Sequence, residues 1–289
     1  LIHNGNLTNT AELKTKIEDK YHRHLKTTSD SEILLNVLAD KVFQAISTNH
    51  KTQEETVFEG ITETMKLIKG AYAVICLIDG IGMVAFRDPN AIRPLSFGKK
   101  QGKYGTEYAF ASESAAFAPN SFEKIKDVQP GEAVLIDLEG NVHQKQLIKN
   151  AQKNPCIFEY IYLARPDSMI DEISVYKTQL RLGEKLAQQI TDSGLEIDSI
   201  IPVPDSARPV ALEISNKTGI KYREGLVKNR YVGRTFIMPN QPDREKSVKR
   251  KLNAIPLEFK NRNILLVDDS IVRGTTMKQI IELCRQAGA

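Results

Sequence analysis

The run Ile264-Leu265-Leu266-Val267-Asp268-Asp269-Ser270-Ile271-Val272-Arg273-Gly274-Thr275-Thr276 sets two carboxylates at the end of an apolar stretch, then hydroxyls, a cation and a glycine. The apolar residues read as a buried parallel strand, and Met277 to Gln286 reads as a helix. The polar residues between them form a strand-to-helix loop. In an open α/β sheet, ligands bind outside the carboxyl ends of the strands. A helix N-terminus offers a phosphate free backbone N–H groups and the positive end of the dipole. Ser270, Thr275 and Thr276 add hydroxyl donors, and Gly274 lets the backbone approach closely. Asp268 and Asp269 would repel a bare phosphate. They suit sugar hydroxyls, which donate to carboxylates, or a Mg²⁺ carried by a pyrophosphate. Acidic pairs also end strands that bind nothing; the order of all thirteen positions favours the ligand.

A second strand-to-loop junction, Ile200-Ile201-Pro202-Val203-Pro204-Asp205-Ser206, has two prolines that stop the strand and fix the loop. If its strand neighbours Ile264–Val267, Asp205 and Ser206 lie beside the first loop and complete a site for pyrophosphate and its metal. Between 228 and 251 there are eight Lys or Arg against only Asp243 and Glu245. Such a run can be a solvated face, yet a long basic loop inside a compact domain reads better as a lid. Lys228, Arg230, Tyr231 and Arg234 would then close over an anionic substrate and exclude water. At the other end of the chain, Asn4 and Gly5 place a side-chain amide beside a backbone N–H, the parts of an oxyanion hole. Asp30 can take an ammonium group. Read locally, His3–Asn6 is a turn and Asp30 a first-turn helix residue.

The elements that carry these residues follow from periodicity. Asn9 with Glu12, and Ser29 with Glu32, read as capping pairs opening two helices. A third helix carries Phe58, Ile61, Met65 and Ile68 and ends at Gly70. The period then changes to short strands: Tyr72–Ile78 and Ile81–Phe86 around the turn Asp79-Gly80, then Leu95–Phe97, Glu107–Ala111 and Ala133–Asp137. Helices followed by antiparallel strands give an α+β layered domain over 1–150. From 151 to 289 strands (Phe158–Leu163, Ile197–Val203, Ile264–Val267) alternate with helices, which implies an α/β domain with a parallel sheet. The net charge of +4 is mild, and no apolar run approaches a membrane span, so general nucleic-acid or membrane binding is not indicated. Cys76, Cys156 and Cys284 make neither a disulfide framework nor a zinc site and fit a reducing cytoplasm. Leu1 is not an initiator and a parallel sheet would need strands after Ala289, so an internal fragment is expected.

Taken in order, His3–Thr8, Thr28–Leu35, Phe86–Leu95, Phe158–Ser168, Ile200–Ser206, Val227–Met238 and Ile264–Thr276 resemble the glutamine phosphoribosylpyrophosphate amidotransferases. The last stretch alone resembles the phosphoribosyl-diphosphate (PRPP) signature of type I phosphoribosyltransferases. The resemblance implies a partial N-terminal-nucleophile hydrolase (αββα) glutaminase domain followed by a partial type I phosphoribosyltransferase domain. It implies glutamine and PRPP as substrates, transfer of ammonia to C1 of PRPP, and a place at the first committed step of purine synthesis. Asn4 and Gly5 then form the oxyanion hole, and Asp30 binds the glutamine α-amino group. Ser206, Asp268 and Asp269 match the Mg²⁺ positions. Asp205 and Ser270, Ile271, Val272, Arg273, Gly274, Thr275 and Thr276 match the substrate loops, and Lys228 to Met238 the lid. Feedback by purine nucleotides and a homo-oligomer are also implied. The nucleophilic cysteine of the family falls before Leu1, so the sequence as given is expected to hydrolyse no glutamine. Ala91 stands where the family commonly has glycine. Some members hold an iron–sulfur cluster; Cys156 lies near one ligand position, the others would fall beyond Ala289, and the cluster stays open. Two other readings, a PRPP-sensing nucleic-acid-binding regulator and a glutaminase joined to a sugar isomerase, leave one end or the other of this motif set unexplained.

Overall fold

The computed structural model describes residues 1–21, 24–48, 52–229, 252–271 and 273–289. These fall into two compact units, Leu1–Glu159 with Asp167–Ile173, and Tyr160–Pro166 with Ser174–Ala289.

The first unit contains strand β1 (Ile2–Leu7), then helices α1 (Thr10–Tyr21), α2 (Asp30–Thr48) and α3 (Gln53–Leu67). Strands β2 (Gly70–Ile78), β3 (Gly82–Arg87), β4 (Ser96–Gly102), β5 (Gly105–Ala111), β6 (Glu123–Asp127), β7 (Glu132–Asp137) and β8 (Val142–Gln146) follow. They make one sheet in the order β1-β2-β3-β7-β8 and a second in the order β5-β4-β6. Alternation along the strands sets the layers. Tyr72, Val74, Val84, Phe86 and Leu135 pack with Leu34, Leu38, Val57, Phe58 and Ile61 of the helices. The residues between them, Ala73, Ala85, Val134 and Ile136, pack with Leu95, Phe97 and Val128 on the opposite face. Burial on both faces explains why β2 reads as a nearly unbroken apolar run. The layers of this unit are thus helix, sheet and sheet.

Local expectations are corrected in four places. His3–Asn6 is not a turn: β1 runs antiparallel to β2, with Gly5 opposite Tyr72. Gly5 has φ 151°, and a Cβ there would lie 2.0 Å from the Ala71 carbonyl oxygen, so this glycine permits close approach of two strands. Gly70 does not cap α3; it begins β2, and a Cβ on it would meet the Asn6 carbonyl oxygen at 2.2 Å. The β2–β3 connection holds three residues, since Ile78 pairs with Gly82, with Gly80 at φ 70°. Phe158–Leu163 is no strand; Glu159–Leu163 is a π-helical turn. A short apolar run fits either conformation.

Two-residue strands β9 (Met169–Ile170) and β10 (Ile173–Ser174) pair with each other. The second unit then runs α4 (Val175–Ser193), β11 (Ser199–Pro202), α5 (Arg208–Thr218), β12 (Lys221–Tyr222), β13 (Leu226–Lys228), β14 (Leu252–Ala254), α6 (Pro256–Phe259), β15 (Ile264–Val267) and α7 (Thr275–Gln286). Its parallel sheet has the order β12-β11-β15. Ile200, Leu265 and Val267 pack with Ala187, Ala211 and Ile214 from α4 and α5. Ile201, Ile264 and Leu266 pack with Phe259, Ile280 and Cys284 from α6 and α7. Helices thus cover both faces, and the carboxyl ends of β11 and β15 are left to their loops. No helix among the described residues is long and apolar enough to cross a membrane.

Candidate functional site

In the second unit the parallel register carries Ser199↔Ile264 through to Pro202↔Val267, and the Val203 N–H continues it to the Val267 carbonyl at 2.8 Å. The two candidate loops therefore leave the sheet side by side. Ser206 Oγ donates to Asp269 Oδ2, and Ser270 Oγ donates to Asp269 Oδ1 at 2.7 Å. Asp268 Oδ1 accepts the Asp269 N–H at 2.9 Å. Burial pushes the Asp268 carboxyl up to about 6; the Asp269 N–H counters this in part, and the Asp269 charge adds to it. Desolvation and a neighbouring like charge both favour the protonated form of a carboxyl.

Beyond this pair, Gly274 sits at φ 73° as the N-cap of α7, and Thr275 and Thr276 are exposed on its first turn. The first N–H groups of a helix have no partner within it and face whatever occupies that end. Exposed Ile271 and Arg273 flank the loop. Asp205 is exposed and paired with Arg208 Nη1 at 2.9 Å and Lys228 Nζ at 3.0 Å. Arg208 in turn pairs with Glu224 at 3.0 Å, to which the Tyr222 hydroxyl donates at 2.6 Å. No local pattern singles out Arg208, Tyr222 or Glu224. Lys228 ends β13, whose antiparallel partner β14 places Leu252 opposite it, so the basic segment leaves and returns on adjacent strands. Arg230, Tyr231 and Arg234 of the expected lid, and Val272 of the loop, lie outside the described residues.

The donors around Asp269 are all hard oxygens, two carboxylates and two hydroxyls. That set fits Mg²⁺, which takes one or two carboxylates and completes its shell with substrate phosphates and water. Among the described residues no group of three or more His, Cys, Asp or Glu side chains makes a self-sufficient metal cage.

In the first unit, β1 carries Asn4 and Gly5, and Asp30 begins α2. The Leu7 N–H donates to Asp30 Oδ2 at 3.0 Å, tying the first residue of α2 to the strand. His3 Nδ1 lies 3.6 Å from Asp30 Oδ1, and burial holds this imidazole below its ordinary pKa against the pull of Asp30. Asn4 is held at both ends of its amide: Nδ2 donates to Ser112 Oγ at 2.8 Å, and Oδ1 accepts from Arg93 Nη2 at 2.7 Å. Arg93 Nη1 forms an ion pair of 2.6 Å with Glu159, which is almost fully buried. Arg93, Ser112 and Glu159 escape a sequence reading because they lie 89 residues or more from Asn4 along the chain. The loop bearing Arg93 is shaped by Asp88, which accepts the N–H groups of Asn90 and Ile92 on Oδ1 and of Arg93 on Oδ2. Ala91 in that loop takes φ 50°, a conformation glycine adopts without strain.

Residues 1–119 match the glutamine amidotransferase domain family, and residues 170–289 match the phosphoribosyl transferase domain family. Along its whole length the chain is 53% identical to an amidophosphoribosyltransferase of Pseudomonas aeruginosa, of which it spans 58%. It is 52% identical to that of Escherichia coli, spanning 57%, and 48% identical to that of Saccharomyces cerevisiae, spanning 58%. The chain thus covers somewhat more than half the length of the curated relatives it matches. Among solved structures it is similar to the Bacillus subtilis glutamine PRPP amidotransferase complexed with ADP and GMP. There the TM-score is 0.81 at 38% identity, over 100% of this chain and 59% of that one.

Proposed function

The chain belongs to the amidophosphoribosyltransferase family, and on that premise we propose that its protein makes 5-phosphoribosylamine in two linked steps. Glutamine is hydrolysed to glutamate and ammonia, and the ammonia displaces pyrophosphate from C1 of PRPP, the first committed step of purine synthesis. Residues 1–150 are assigned to the glutaminase domain and 151–289 to the phosphoribosyltransferase domain. The observation that carries this reading is the parallel pairing of β11 with β15, which brings the Ser206 hydroxyl onto the Asp269 carboxylate at the carboxyl ends of the strands.

In the glutaminase half, the Asn4 amide and the Gly5 N–H stabilise the oxyanion of the tetrahedral intermediate, and Asp30 takes the α-ammonium group of glutamine. In the other half the nucleophile is ammonia, which needs no strong base. What the site supplies is position, charge for the leaving group and exclusion of water. Ser270 to Thr276 and the first turn of α7 bind the 5′-phosphate through N–H and hydroxyl donors. Asp268 and Asp269 accept from the ribose hydroxyls. Asp205 lies on the pyrophosphate side, and Lys228, Arg230, Tyr231 and Arg234 close over the substrate. Ser206, Asp268 and Asp269 would hold Mg²⁺, which when bound supplies charge that stabilises the departing pyrophosphate. Purine nucleotides are assigned as feedback ligands by analogy with the relative complexed with ADP and GMP. A cytoplasmic homo-oligomer completes the proposal.

The test is Asp268→Asn in the intact enzyme. Synthesis is expected to fall about a hundredfold, an effect on the order of one lost transition-state contact, with ammonia as donor as well as with glutamine. Unchanged activity with both donors would overturn the role given to Asp268.

A further inference from the structure

The Asn4 amide can face two ways, and only one presents N–H groups to an oxyanion. Arg93 settles which. A guanidinium carries donors and no acceptor, so the Asn4 atom 2.7 Å from Arg93 Nη2 must be the carbonyl oxygen. The amide nitrogen then points the other way, where one of its two hydrogens goes to Ser112 Oγ at 2.8 Å. The second hydrogen is left for a ligand. Arg93 is itself held by its ion pair with the buried Glu159 and by the loop folded around Asp88.

We propose that Arg93 is a positioning residue for glutamine hydrolysis: it locks the Asn4 amide in the donor-outward orientation, with Ser112 steadying the same group from the other end. A cation against Oδ1 also polarises the amide and makes its N–H groups stronger donors. This inference rests on the oxyanion-hole reading of Asn4. It assigns Arg93 no contact with substrate, so its loss should appear only through Asn4. Oxyanion stabilisation acts in the transition state, so the loss should appear in kcat, with KM for glutamine little changed.

The experiment is a double-mutant cycle in the intact enzyme with Asn4→Ala, Arg93→Gln and the pair combined. Each variant is assayed for glutaminase activity and for phosphoribosylamine synthesis from ammonia. Asn4→Ala is expected to lower glutaminase kcat by roughly 10²- to 10³-fold, the usual effect of one lost oxyanion donor. Arg93→Gln is expected to lower it at least tenfold, with KM within about twofold, and to add nothing once Asn4 is alanine. Ser112→Ala, a smaller change that leaves the Glu159 carboxylate paired, is expected to lower kcat severalfold in the same way. Synthesis from ammonia should hold within about twofold in all of them, and amide hydrogen exchange along β2 and β3 should match the wild type, which together certify folding of both units. If Asn4→Ala leaves the glutaminase intact, the oxyanion-hole reading itself fails. If Asn4→Ala is impaired but Arg93→Gln is not, or if Arg93→Gln multiplies the defect of Asn4→Ala, the positioning role is refuted. A rise in KM without loss of kcat would likewise refute it.

Discussion

Asp171→Asn should be among the most damaging single changes in the first unit, although Asp171 touches neither candidate site. Its partner Arg87 is buried to 1% exposure and uses all five guanidinium N–H donors. Nε donates to the Arg93 carbonyl at 2.7 Å, Nη1 to Val128 at 2.9 Å and Nη2 to Ala91 at 3.0 Å. The remaining two donors meet the Asp171 carboxylate, each at 2.9 Å. Asparagine would remove the only carboxylate bound to this buried guanidinium and turn an amide N–H toward it. Leaving a buried charge uncompensated costs roughly 3–5 kcal/mol. Arg87→Met should cost more still, because it strands the buried Ala91 and Val128 carbonyls at about 1–3 kcal/mol each, releases the half-buried Arg93 carbonyl, and leaves Asp171 the 3.4 Å contact to Lys153. Amide hydrogen exchange along β3 and β7, which open with the unit, measures both losses directly. A loss below about 1 kcal/mol for Asp171→Asn, or a smaller loss for Arg87→Met, would refute the assignment of this pair as the internal brace of the loop bearing Arg93.

The same pair sets an acid limit. Burial raises the Asp171 carboxyl, but the Arg87 hydrogen bonds and charge, with Lys153, outweigh it and hold the pKa below the usual value of about 3.8. A carboxyl depressed on folding contributes stability that is complete above its unfolded pKa and is lost as pH falls through its folded value. Urea midpoints for the wild type should therefore hold from pH 7 to about pH 5 and fall steeply below pH 4. Asp171→Asn, lacking that proton linkage, should show a shallower fall. Gly5→Ala should cost about 2–4 kcal/mol, since a Cβ 2.0 Å from the Ala71 carbonyl oxygen forces β1 from β2 in a backbone conformation unsuited to alanine. Thermal unfolding and glutaminase activity should both decline in that variant, and a wild-type melting temperature would rule the clash out.

The local form of the candidate site in the second unit was legible in the order of residues. The run from Ile264 to Thr276 announces strand, carboxylate pair, loop and helix because each part has its own local signature: burial, charge, glycine and period. The 3.6-residue spacing in α2 and α3 and the alternation in β2, β3 and β7 likewise name their own cores. Misreadings came where local signals have two meanings. Asn4-Gly5 favours a turn in isolation, yet the positive φ at Gly5 serves contact with Ala71, a residue far along the chain. Phe158–Leu163 is apolar enough for a strand and instead makes a π-helical turn.

What tertiary structure alone decided is which residues stand behind the chemical ones. Hydrogen bonds and ion pairs fall off within a few ångströms, so a partner 84, 89 or 108 residues away leaves no mark on the sequence around a motif. Asp171 on Arg87, Arg93 on Asn4 and Ser112 on the other end of the same amide became partners only when the sheets brought them together. The sequence by itself named the candidate groups; folding decided how they are held, because orientation depends on neighbours that only a packed chain can supply.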